Sequence, residues 1–76
     1  MNKARRTALE KLSSALSEAA DTLRNIQCEE QEAYENLPES LQATEKGETM
    51  ETAASEMQEI VYNLEDAAQT LINLTE

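Results

Sequence analysis

Carboxylates at three-residue intervals are the feature of this chain that comes nearest to a reactive constellation. Glu29, Glu32 and Glu35 recur every third residue, and Glu48 and Glu51 repeat the interval further along. On a helix this spacing brings the side chains to one face. Two such faces set against each other could hold a hard divalent cation and polarise a phosphate. Against this, the second stretch has no Glu-x-x-Asp partner, and only Lys46 and Arg24 are placed to steady a polyphosphate. The ordinary reading of such a run is a solvated acidic face. No catalytic residue and no metal ligand is assigned, and no cofactor is implied.

A second group is basic. Lys3, Arg5, Arg6 and Lys11 stand together and could cradle a phosphate-bearing small molecule at the open end of an oligomer. Their plainer role is to complement acidic helix ends in neighbouring subunits. Cys28 is the one cysteine, so no disulfide can close within the chain, which suits a reducing compartment. Glu30 falls on an apolar column between Leu23 and Leu37, where a carboxylate either fixes register or sits at a solvated edge. Of the two aromatics, Tyr34 flanks the seam just before the elbow and is expected to pack under a turn at Pro38, and Tyr62 lies on an outer face as a candidate partner contact.

The elements that position these groups follow from a seven-residue repeat. In the first half Leu9, Leu16, Leu23 and Leu37 form one column, and Leu12, Ala19, Ile26 and Ala33 a second. In the second half Met50, Met57, Leu64 and Leu71 run beside Ala53, Ile60, Ala67 and Leu74, with Ala54, Val61 and Ala68 as a third column. Such spacing predicts two long helices with apolar seams. One Gly, one Pro and no Phe or Trp leave strands little to work with.

The first long helix is expected over about residues 3–35. Asn36-Leu37-Pro38-Glu39 reads as a stop and a restart, with Asn36 capping the next turn and Glu39 completing a capping box. An elbow over 36–44 then holds a short helical segment from Pro38 to about Ala43. Thr44 caps the second long helix, about residues 45–74, roughly 45 Å long, with Gly47 in its opening turn. The expected fold is all-α, one antiparallel helical hairpin with a short helical elbow. Three apolar columns serve more than one neighbour. Self-association into a four-helix bundle follows, as a homodimer first and a higher oligomer second, with Leu16, Leu23, Met57, Val61, Leu64 and Leu71 in the seam.

The formal charge of −10 argues against phosphate-driven nucleic-acid binding. Residues 29–59 hold ten carboxylates and a single cation, Lys46. Folding back gathers these acids at the elbow and leaves the cations at the open end, a dipole with an acidic tip. No secretory signal and no stretch near the roughly 20 apolar residues of a membrane span is present, so a cytoplasmic protein without membrane contact is expected.

The elbow stretch EEQEAYENLPESLQATEKGETMETA, beginning at Glu29, resembles a segment of small acidic helical proteins encoded by phages and prophages, mostly of Firmicutes. The shared features are the NLPESLQ block and an acidic and basic pair before Gly and Glu, here Glu45, Lys46, Gly47 and Glu48. The resemblance implies a mobile-element protein acting in a bacterial cytoplasm, and it transfers no catalytic residue. The paired acidic spacing is also similar to that of the all-α nucleotide pyrophosphatases, which bind magnesium between neighbouring helices. Three functions follow as expectations. The first is a non-enzymatic modulator of a host process such as defence, touching a host or phage protein through Glu29, Glu32, Glu35, Glu39, Glu48 and Tyr62. The second is an oligomeric sponge for a signalling nucleotide, and the third a magnesium-dependent pyrophosphatase-like enzyme.

Overall fold

The computed structural model describes residues 1–76. The chain forms α1 (Lys3–Glu35), α2 (Glu39–Gln42) and α3 (Glu45–Leu74), with no strand. At the start of α1, Asn2 Oδ1 accepts the Arg5 N–H at 2.8 Å. That bond satisfies one of the donors a helix leaves unpaired, and no Gly or Pro follows before Glu35. At the start of α3, Thr44 Oγ1 accepts the Gly47 N–H at 3.4 Å. Glu45 and Glu48 occupy that first turn, where carboxylates meet the positive end of the helix dipole.

The elbow corrects one expectation. Asn36 does not cap α2; it ends α1, its N–H donating to the Glu32 carbonyl at 3.0 Å. Pro38 is itself the residue that opens α2, at φ −57° and ψ 148°, with no side-chain capping bond. Proline fixes its own φ and biases the preceding Leu37 away from the helical region. The helical path therefore breaks before Pro38, and Asn36 belongs to the helix it closes. The Leu41 and Gln42 N–H groups then both donate to the Pro38 carbonyl, at 2.8 and 3.0 Å.

α1 and α3 lie antiparallel as a rod with Cα extents of 58 × 13 × 13 Å. Only six residues are buried: Ser13, Ala20, Gly47, Ala54, Val61 and Ala68. The core of the hairpin thus holds no Leu, Ile or Met. Small side chains let the two backbones approach closely enough for Ser13 Oγ to donate to the Ala68 carbonyl across the seam at 2.7 Å.

This packing moves the centre of the seam. On α1 the inward column is Ser13, Ala20, Gln27 and Tyr34, and the expected partner column, with Leu12, Ala19, Ile26 and Ala33, is exposed. On α3 the inward column is Gly47, Ala54, Val61 and Ala68, while Ile60, Ala67 and Leu74 are exposed and Ala53 is half-buried. Leu9, Leu16, Leu23, Met50, Met57, Leu64 and Leu71 flank the seam and are half-buried. Of the residues expected in an oligomer seam, Val61 is therefore inside the hairpin itself. The physical reason is width, because two helices can bury only two of three adjacent columns, and the small one permits the closest approach.

Candidate functional site

Two surfaces stand out, the open apolar face and the elbow. In an antiparallel pair the columns that follow the same heptad offset fall on the same side of both helices. Leu12, Ala19, Ile26 and Ala33 therefore share a face with Ala53, Ile60, Ala67 and Leu74. Leu12, Ile26, Ile60 and Leu74 are 47–57% exposed, whereas the inward Ala20, Ala54, Val61 and Ala68 are at 4% or less. The opposite face is polar. There the Arg24 guanidinium donates to Glu65 on α3 and, at 3.4 Å, to Asp21 on its own helix. Glu30 is half-buried at the elbow end of the apolar face and forms no ion pair.

The elbow is built from side chain to backbone. Gln42 Nε2 faces the carbonyls of Leu37, Tyr34 and Glu35 at 3.0, 3.4 and 3.5 Å, acceptors that the last turn of α1 leaves open. Gly47 is packed against α2. A Cβ there would lie 2.3 Å from the Gln42 carbonyl oxygen and 2.7 Å from that of Leu41, so only glycine lets α3 start this close. Tyr34 is half-buried on the inward column, at the elbow end of the seam. The Glu51 carboxylate is the group across the hairpin that acts on its phenol. Its hydrogen-bonding pull, then burial, then its charge, raise the phenol above its usual pKa.

The carboxylates singled out from sequence, Glu29, Glu32, Glu35, Glu39 and Glu48, are all exposed. None is ion-paired, and Glu35 accepts only the Gln31 amide at 3.1 Å. Folding brings both acidic stretches to the elbow end. Even so, no three carboxylate or thiol groups gather closely enough to hold a metal ion. Glu45, Glu48 and Glu56 line a surface groove on α3 with Thr49, Thr52 and Ala53, and no basic side chain is among the lining residues. Lys3, Arg5, Arg6 and Lys11 are exposed and unpaired at the other end of the rod. Tyr62 is exposed and accepts the Gln58 amide at 3.0 Å, and Cys28 is exposed on the polar side.

The charge layout of α1 opposes its own dipole. Its first turn carries Lys3, Arg5 and Arg6 with no acid, and its last turn carries Glu32 and Glu35 with no base. Both ends place like charge against like. α3 begins with acids, as a helix prefers. Sequence reasoning missed the Tyr34–Glu51 link and the Arg24–Glu65 bridge. The seven-residue spacing of Tyr34 from Gln27 and Ala20 was the available signal for the first.

No protein-family model matches this chain, and no curated protein or solved structure matches it either. No helix is long and apolar enough to cross a membrane.

Proposed function

We propose that this chain acts by binding rather than by chemistry. It is a self-associating helical hairpin of phage or prophage type, at work in a bacterial cytoplasm. Its acidic elbow touches a basic site on a host or phage protein and so modulates a host process such as defence. The observation that carries the reading is the open apolar face, because large side chains left half exposed on one side of both helices, Leu12 with Leu74 and Ile26 with Ile60, are a contact surface awaiting cover. Covering that face supplies the core that Ser13, Ala20, Ala54 and Ala68 are too small to supply alone.

The elbow then lies at an end of the assembly. Glu29, Glu32, Glu35, Glu39 and Glu48 are exposed and free of ion pairs, so they can steer a basic partner and imitate the charge spacing of a nucleic-acid backbone. The test joins two measurements. Light scattering is expected to give a multiple of the monomer mass at micromolar concentration. A variant with Glu45 and Glu48 both changed to Gln is expected to keep that mass while weakening its hold on a salt-sensitive protein partner that the parent captures from a bacterial lysate. A monomer mass overturns self-association, and capture that is indifferent to the two substitutions overturns the elbow's role.

A further inference from the structure

The apolar face has a size rhythm that selects the orientation of its occupant. Read from the open end toward the elbow, α1 presents Leu12, Ala19, Ile26, Ala33, and α3 presents Leu74, Ala67, Ile60, Ala53. Both helices spell large, small, large, small at one residue per seven. Two copies laid face to face with elbows together set Leu12 level with Leu74, Ile26 with Ile60 and Ala19 with Ala67, large on large and small on small. Reversing one copy changes every pairing. Leu12 then meets Ala33, Ile26 meets Ala19, Leu74 meets Ala53 and Ile60 meets Ala67, each large side chain opposite a small one. Such alternation across facing positions is what close packing requires.

Charge selects the same orientation independently. With elbows together, two sets of ten carboxylates, each offset only by Lys46, lie side by side. With one copy reversed, α1 runs antiparallel to the second copy's α1. Lys3, Arg5, Arg6 and Lys11 of each copy then come alongside the Glu32, Glu35 and Glu39 region of the other. The cations that oppose the dipole of one α1 thereby gain carboxylate neighbours at the tail of the next. The flank of the whole rod, 58 by 13 Å in Cα extents, approaches the roughly 800 Å² per partner of a stable interface, and the apolar columns fill the middle about 30 Å of its length.

We infer that the occupant of the open face is a second copy of this chain laid head to tail, elbow against open end, with Leu12 and Ile26 seated against Ala33 and Ala19 of its mate. This rests on the self-association argued above and adds its direction. The dimer carries an acidic elbow at each end of the rod, and on each elbow the α3 carboxylates Glu45 and Glu48 lie away from the mate's cations.

Pulsed dipolar spectroscopy on a Cys28→Ser, Ser40→Cys chain carrying one nitroxide at residue 40 tests the direction, with the mass measured on the same sample. At 1.5 Å per residue about a dyad midway between residues 12 and 33, the head-to-tail dimer separates the two labels by about 50 Å. Elbows together give about 20 Å, two helix diameters. A dimer mass with the short distance overturns the orientation and leaves self-association standing, whereas a monomer mass overturns both. Mixing this chain with a Cys28→Ser, Ala4→Cys chain carrying a gadolinium label, and reading only the nitroxide–gadolinium distance, reverses the expectation. The mixed pair gives a short distance only when the copies run head to tail.

Discussion

The inward column of the hairpin and its open face are written in the same seven-residue repeat, yet they follow opposite rules of size. Inward lie Ser13, Ala20, Gly47, Ala54 and Ala68, with Val61 the largest buried side chain. Outward lie Leu12, Ile26, Ile60 and Leu74, spaced by alanines. Small residues bring two backbones together but remove little apolar area from water, while the large ones hold most of the burial still to be gained. The hairpin therefore defines geometry, and the layer that covers its face supplies stability.

Substitutions can set the two columns against each other. Ala54→Asp puts a carboxylate at a fully enclosed seam position. It is expected to cost more than about 3 kcal/mol, seen as loss of the helical circular dichroism signal at every concentration. Ile26→Glu with Ile60→Glu leaves the seam untouched and removes about 1.5–3 kcal/mol of burial per side chain from the covered assembly. The expected result is a monomer by light scattering whose melting temperature no longer rises with concentration.

A smaller effect is expected at the elbow. Gly47→Ala gains about 1 kcal/mol of helix propensity, but its methyl collides with the Gln42 carbonyl. The net expectation is a loss of about 1–2 kcal/mol from overpacking against backbone, with hydrogen exchange accelerated in α2 and the first turn of α3. Ser13→Ala removes one hydrogen bond across the seam and should cost about 1 kcal/mol or less, since the Ala68 carbonyl stays within its helix.

The smallest expected effect is a titration. The Tyr34 phenol is raised, so the protein favours its neutral form, and the stability it lends is complete below about pH 10. That stability fades as pH climbs through the raised folded value. In a Tyr62→Phe background, Glu51→Gln should lower the pH at which the phenolate absorbance of Tyr34 appears. An unchanged midpoint would show that Glu51 does not hold the phenol.

The long helices and the elbow were legible because their signals are local: uninterrupted helix formers, a Thr cap before Glu45, and Pro38 as a break. The centre of the seam was not. Three adjacent columns share one period, so periodicity locates an apolar stripe without its midline, and hydrophobicity alone favours Leu12 and Ile26 over Ser13 and Ala20. Backbone approach decided otherwise, and that is a property of two helices together. Asn36 was misplaced for a related reason, since a capping box can be spelled by residues that a following proline assigns to the helix before. At the elbow the clustering of acids was legible from the order of the elements, but the Gln42 and Tyr34 contacts depend on which way the chain turns.

The narrowness of the rod, 58 Å by 13 Å, follows from the small side chains between its helices and shapes how the molecule diffuses. Laid flank to flank, two such rods thicken while keeping nearly the same length. Association therefore leaves the maximum dimension in small-angle X-ray scattering almost constant and enlarges the cross-section, and a column calibrated with spheres overstates the size of either species.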